Sequence, residues 1–251
     1  MISRIKTKII RDGLLSFVIA ILIYPFQHRK RKAYKNMLNL KSQKEKFSEI
    51  YKNNLWSSEE SGSGKGSEIG YTQPLRKWLI EIIKELEIKT LIDAPCGDFN
   101  WMKLVMKEAG TSYIGIDIVD EVIEKNKSSY NLENVDFRIA NICEDELPKG
   151  DIIMVRDFLF HLSYNDINNF LINLSKTDYK YLLTSTHIVN QNYKNMNIQT
   201  GDFRVIDLFS EPFDFDSKLV KHRVNDFPQG YSVKREMILI EKKFVPKCLT
   251  F

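Results

Sequence analysis

The 251 residues hold 43% hydrophobic and 28% charged side chains with 11 Gly and 7 Pro, which suits one packed domain and excludes disordered, collagen-like and low-complexity chains. The net charge of +4 is uneven: residues 1–52 carry 13 Lys/Arg against 3 Asp/Glu, while the remainder carries 24 against 30. A basic arm therefore precedes an acidic body, so an anionic surface (membrane or nucleic acid) is expected for the arm and not for the body, a solvated basic helix being the plainer alternative.

The arm contains an uncharged run from Gly13 to Gln27, rich in Leu, Ile, Val and Phe and flanked on both sides by Lys and Arg. As a helix this run would be about 22 Å long, short of the roughly 30 Å hydrocarbon core of a bilayer. Tyr24-Pro25-Phe26 follows it in place of a small-residue cleavage site, so removal as a signal peptide is not expected. An interfacial anchor formed by residues 1–35 on the inner membrane face is the favoured reading. A short spanning helix and a helix packed on protein remain open.

Lys32 to Leu55 spaces Tyr34, Met37, Leu38, Phe47, Ile50 and Tyr51 as one amphipathic helix. Ser57 to Gly70 is the Gly/Ser-rich stretch, readable as a flexible linker or as a lid whose freed N–H groups converge on a ligand. The expected organisation is an arm over 1–56, this linker or lid over 57–70, and a catalytic domain over 71–251. Pro74 opens a helix with Leu75, Leu79, Ile82 and Ile83 on one face. Strands are expected at 90–94, 113–117, 137–140, 151–155 and 179–185, alternating with helices through Trp101–Val105, Glu121–Tyr130 and a segment capped by Ser163. That alternation predicts a doubly wound α/β fold with a parallel sheet, and 234–242 reads as a late edge strand.

Ligands of such sheets bind beyond the carboxyl ends of the strands. The first strand ends in Asp93-Ala94-Pro95-Cys96-Gly97-Asp98-Phe99, where Gly97 lets a ligand approach the backbone and Asp93 can hold the turn or a cationic amine. The second ends in Asp117-Ile118, at the distance where a carboxylate receives a ribose diol. The third is followed by Asn141-Ile142, whose amide can pair with an adenine edge. Together these predict adenosine binding. Each also has a structural reading, as helix cap, strand-end cap or turn former. Pro95 and Phe99 stand where the diphosphate cradle of a nicotinamide dinucleotide needs Gly, which argues against that cofactor.

These residues, in order and spacing, resemble the first three motifs of class I S-adenosylmethionine-dependent methyltransferases. With Phe47, Tyr51, Trp56, the run Ser63-Gly64-Lys65-Gly66-Ser67 and Val155-Arg156-Asp157-Phe158-Leu159-Phe160-His161, residues 47–240 look like bacterial methyltransferases of surface-polysaccharide biosynthesis. The resemblance implies a Rossmann-like, seven-stranded, mostly parallel sheet with an antiparallel edge strand, and S-adenosylmethionine as cofactor. It implies cofactor contacts from Asp93, Ala94, Cys96, Gly97, Asp117, Ile118, Asn141, Ile142 and Arg156, with Gly97 and the Cys96 turn at the methionine part, Asp117 at the ribose, and Asn141 with the Ile142 backbone at the adenine. Trp56, Ser63, Gly64 and Ser67 would belong to a lid or the acceptor site.

Asp157 and His161, four residues apart after the fourth strand, are the candidate acid–base residues for a hydroxyl acceptor. The bland alternative packs His161 structurally and pairs Arg156 with Asp157. His187 is a second candidate base. The loop 188–213, with Asn195, Asn197, Arg204 and Phe203, suits a glycan or other small-molecule acceptor or an ordinary surface loop. Three cysteines (Cys96, Cys143 and Cys248) without CxxC spacing predict no disulfide framework and no metal site, in a reducing cytoplasm. The expectation is O-methylation of a surface-glycan precursor, without DNA. The alternatives are an RNA methyltransferase, which the acidic body argues against, and a non-catalytic tethered protein with a degenerate fold.

Overall fold

The computed structural model describes residues 28–227 and 233–250. The apolar run 13–27 lies outside them, and among the described residues no helix is long and apolar enough to cross a membrane. Seven strands form one sheet: β1 (Thr90–Asp93), β2 (Ser112–Asp117), β3 (Val135–Ile139), β4 (Ile152–Val155), β5 (Tyr181–His187), β6 (Val220–Asn225) and β7 (Arg235–Glu241). Their order is β3-β2-β1-β4-β5-β7-β6, with β7 antiparallel to both of its neighbours and the pairs among β1–β5 parallel.

The central strands are buried on both faces, and alternate residues serve opposite cores. Ile92, Ile153, Val155, Leu182, Ile238 and Ile240 enter one core, whereas Leu91, Ile152, Met154, Leu183, Met237 and Leu239 enter the other. The helices are α1 (28–38), α2 (Gln43–Lys52), α3 (Gln73–Glu85), α4 (Met102–Ala109), α5 (Asp120–Ser129) and α6 (Tyr164–Lys176). Met37, Phe47, Ile50, Ile167, Phe170, Leu171 and Leu174 cover the first core from α1, α2 and α6, while α3 and α4 cover the second through Leu75, Leu79, Ile82, Ile83, Met102 and Val105. At about 1.5–3 kcal/mol per large apolar side chain withdrawn from water, these two layers dominate the stability.

Two elements depart from the sequence expectation. The helix read over Lys32 to Leu55 is broken at 39–42, because Ser42 and Glu45 form a capping box that starts α2 afresh: the Ser42 hydroxyl accepts from the Glu45 N–H at 3.2 Å, and the Glu45 carboxylate accepts from the Ser42 N–H at 3.1 Å. The strand read over 234–242 lies one place in from the edge, since β6 pairs along its outer side. Ser163 caps α6 as its sequence position suggests, accepting from the Asp166 N–H.

Candidate active site

The strand order turns about β1, with β2 on one side and β4 on the other, and the loops leaving their carboxyl ends converge there. Gly97, two residues into a turn after Asp93–Pro95, has φ +56°, a left-handed conformation that a side chain strains. Its N–H donates to Asp117 Oδ2 at 3.1 Å, and the Val119 N–H donates to Asp117 Oδ1 at 3.0 Å. Asp117 thereby joins the β1 and β2 turns. Burial pushes its carboxyl up to about 6, against those backbone bonds. Asp93 lies beneath, its Oδ2 accepting from the Tyr113 hydroxyl at 2.8 Å, and burial pushes it up to about 7.

The segment 56–67 folds down over this turn. The Asp98 carboxylate accepts from Gly62 N–H at 2.8 Å and from the hydroxyls of Ser61 at 2.9 Å and Ser63 at 3.2 Å, and the Asp98 N–H donates to Ser63 Oγ at 3.1 Å. Gly64, at φ +91°, lets the chain pass so close to Trp56 that a Cβ there would stand 2.9 Å from the tryptophan Cβ. Residues 58–67 pack on the protein, where Asp98 organises hydroxyls and an N–H that a free linker would leave to water, and the Gly62 N–H meets this carboxylate. Tyr51 backs this turn, its hydroxyl 2.8 Å from Ser63 Oγ.

From β4 comes a buried charge cluster. Arg156 grips Asp226, the residue after β6, with Nε to Oδ2 at 2.9 Å and Nη2 to Oδ1 at 3.0 Å, and Nη2 also donates to the Gly66 carbonyl at 2.8 Å. Arg235 of β7 reaches Asp157 Oδ2 at 2.9 Å and Asp226 Oδ2 at 3.1 Å. Burial opposes the charge on Arg156, but Asp157 and Asp226 outweigh it and hold the guanidinium protonated. Burial likewise opposes the charge on Asp226, and Arg156 and Arg235 hold its carboxyl below the usual range.

His161 closes the short 3₁₀ turn Leu159–His161. Its Nδ1 lies 2.8 Å from the Asp202 carbonyl oxygen, and a carbonyl can only accept, so Nδ1 carries the ring proton and Nε2 is bare. Burial lowers the imidazole pKa, keeping it neutral. Trp56 and Phe203 pack against the ring at centroid distances of 5.6 and 5.9 Å.

Asp93, Cys96, Gly97, Asp117, Ile118, Arg156, Asp157 and His161, with Trp56, Ser63 and Ser67, line one narrow cleft that opens to solvent. Other sequence candidates lie elsewhere. Ala94 is buried beneath the turn. Asn141 lines a neighbouring opening that meets the cavity at Ile118, and its amide oxygen accepts from the Cys143 N–H at 3.0 Å. Ile142 is buried, its carbonyl accepting from Asn173 at 3.0 Å. His187 accepts the Ile206 N–H at Nδ1 (3.1 Å), is lowered to about 4 by burial, and stands behind Phe160. Arg204 donates to the Leu162 carbonyl at 2.7 Å and clamps the His161 turn from below.

No protein-family model and no curated protein sequence matches this chain. Solved structures do. Magnesium protoporphyrin IX methyltransferase from Synechocystis, with bound S-adenosylmethionine, is 10% identical, covers 80% of this chain and 99% of its own, and superposes with a TM-score of 0.56. Human N-acetylserotonin methyltransferase, in complex with S-adenosylmethionine, is 13% identical over 93% of this chain and 69% of its own, with a TM-score of 0.53. An N-methyltransferase from Bradyrhizobium japonicum is 9% identical over 70% and 98%, with a TM-score of 0.51. The fold is that of the S-adenosylmethionine-dependent methyltransferases.

The methyltransferase fold makes the donor set of the cavity testable against that cofactor. Its lining offers three carboxylates, Asp93, Asp117 and Asp157, and one cation, Arg156, whose charge is met by Asp226. Two of the carboxyls are raised by desolvation, so their charged forms lack a cation that a cationic ligand would supply. Pro95, Ile118, Trp101 and Phe158 supply apolar walls, and the Gly97 turn supplies close backbone approach. These residues fit a sulfonium nucleoside. They fit a diphosphate poorly, with no uncommitted cation among the described lining residues.

Sequence reasoning missed Asp98, Tyr51, Asp226, Arg235 and Asp202 as parts of this site. Asp98 stood inside the quoted turn motif and Tyr51 inside the resemblance. Asp202 stood inside the loop 188–213 and Arg235 inside the strand expected over 234–242, but neither was given a role, and Asp226 follows β6, a strand the sequence pattern did not mark.

Proposed function

We propose that the chain is an S-adenosylmethionine-dependent enzyme that O-methylates a sugar hydroxyl of a surface-glycan precursor at the inner membrane face. The observation that carries this is the meeting, in one cavity, of the Gly97 turn and Asp117 with a neutral His161 whose Nε2 is bare. The cofactor would supply an electrophilic methyl group on a sulfonium centre. Asp117 would hold the ribose diol, the Gly97 turn would flank the methionine part, and Asn141 would border the adenine from the neighbouring opening.

His161 Nε2 would take the acceptor's proton as its oxygen attacks, and the Asp202 carbonyl would stabilise the imidazolium through Nδ1. Asp157 is committed to Arg235 and Arg156, which leaves the base role to His161 while its charge raises the basicity of that ring. The one cation of the lining is paired with Asp226, so an anionic acceptor oxygen would find no partner. A neutral hydroxyl suits the site better than a carboxylate or phosphate. Trp56, which lines the cavity beside His161, would be the ring that meets the C–H face of a sugar. Residues 1–35, apolar and polybasic, would keep the enzyme near lipid-linked precursors.

Mass spectrometry of surface glycans from cells with and without the protein tests this reading. Loss of a 14-dalton methyl increment on one sugar is expected; identical glycans in both strains, with methyl transfer to RNA instead, would replace it.

A further inference from the structure

The helix at the end of the basic arm touches the turn that orients His161. Tyr34 of α1 donates a hydrogen bond to Asp202 Oδ1, the same oxygen that accepts from the Phe203 N–H at 2.7 Å. Met37, also of α1 and fully buried, lies against Gly201, where an added Cβ would stand 2.7 Å from its sulfur. From α2, Lys46 Nζ donates to the Thr200 carbonyl at 3.1 Å. Three consecutive residues, 200 to 202, are thus pinned by the two helices that precede the sheet.

That pinned turn serves the His161 turn in both directions. The Gly201 N–H donates to the His161 carbonyl at 2.8 Å, and the Asp202 carbonyl receives the imidazole Nδ1–H at 2.8 Å. The second bond decides which nitrogen is bare, because it commits the ring proton to Nδ1. A small rotation of the Asp202 peptide would release that proton to either nitrogen. The Asp202 side chain, held by Tyr34, opposes the rotation.

We propose that Tyr34 is a positioning residue for His161, acting through Asp202 to hold the imidazole in its Nδ1–H tautomer, so that the arm's helix is part of the catalytic apparatus as well as its tether. The proposal rests on the reading of His161 as the base, and its test reads the ring directly. Full-length protein with ¹⁵N-labelled histidine is compared with Tyr34→Phe, which removes the hydroxyl and keeps the aromatic ring. The chain has four histidines, and the His161 signals are assigned by their loss in His161→Ala. Nitrogen-correlated spectra above pH 6.5 should show one tautomer in the wild type, with Nδ1 protonated, and a mixture with converging ring shifts in Tyr34→Phe. Calorimetric affinity for S-adenosylhomocysteine should stay within about twofold, which establishes that the variant is folded and its cofactor cleft intact. An unchanged tautomer in Tyr34→Phe would overturn the positioning role. Wild-type methyl transfer by His161→Ala would instead remove the base reading on which it stands, and the two failures appear in different measurements.

Discussion

Arg156 and Asp226, 70 residues apart in sequence, meet in a two-point ion pair with N–O distances of 2.9 and 3.0 Å, both side chains almost wholly buried. The pair joins the end of β4 to the end of β6, and its spare Nη2 bond to the Gly66 carbonyl ties in the covering segment. Asp226→Asn would leave Arg156 and Arg235 sharing a buried neutral amide. Removing one partner of a buried pair costs about 3–5 kcal/mol, so chemical denaturation should show a loss of that size. A loss below about 1 kcal/mol would mean that water already screens the cluster.

Two glycines separate backbone strain from site geometry. Gly97 and Gly110 both have positive φ, +56° and +64°, but an alanine Cβ at 97 would stand 2.1 Å from Ser63 Oγ, whereas none of the atoms around Gly110 comes within 4 Å. Both Gly→Ala variants should lose about 1–3 kcal/mol of stability from the left-handed backbone. Gly97→Ala should in addition push out the 61–63 turn and weaken S-adenosylmethionine binding by more than tenfold, leaving Gly110→Ala at wild-type affinity. Equal affinities would detach the covering segment from the proposed cofactor site.

The raised carboxyls give the site a pH signature. Asp93 and Asp117, pushed up by burial to about 7 and about 6, are partly protonated near pH 6 in the free protein. A cationic ligand favours their charged forms, so binding lowers both values and expels protons. Calorimetry at pH 6 in buffers of different ionisation enthalpy should register proton release, shrinking towards pH 8. The same shifts lower stability as pH rises between about 4 and about 7 in the ligand-free protein, because the folded state binds the protons more tightly there. Proton uptake on binding would contradict this arrangement of charges.

The parts of the fold set by local pattern were legible in the sequence. The alternation of Leu91 with Ile92 and of Ile152 with Ile153 reads as strands buried on both faces, and Ser163 before an apolar helical face reads as a cap. The Gly97 turn and Asp117 could be paired by spacing alone, because the βαβ connection between them is short. Ser42 and Glu45 carried the capping-box pattern that breaks the first helix, but the apolar spacing across 32–55 is continuous enough to hide it. What stayed hidden depends on long-range closure. Asp226 and Arg235 face each other at the end of the β6–β7 pair but reach Arg156 only because the chain passes from β5 to the sheet edge before returning as β7, and Asp202 meets Tyr34 across 168 residues. No periodicity encodes such a meeting.

The arm offers a separable prediction. A chain beginning at His28 retains Tyr34, Met37 and their contacts with residues 200–202, so its S-adenosylhomocysteine affinity should equal that of the full chain. Its sedimentation with vesicles containing anionic lipid should fall sharply, since the run 13–27 contributes several large apolar side chains at about 1.5–3 kcal/mol each when buried. Equal partitioning of both chains would remove the anchor, and loss of cofactor binding in the shorter one would extend the site's dependence to residues before 28.

The central claim is that the cavity at the carboxyl ends of β1, β2 and β4 binds S-adenosylmethionine through Asp117 and the Gly97 turn. Isothermal titration of the wild type and of Asp117→Ala with S-adenosylmethionine tests it most directly. The wild type should bind one equivalent, and Asp117→Ala, folded by circular dichroism, should bind more weakly by about 1.5–3 kcal/mol, the scale of hydrogen bonds to a charged group. A wild-type chain that takes up no cofactor, or a folded Asp117→Ala protein with unchanged affinity, would contradict the account.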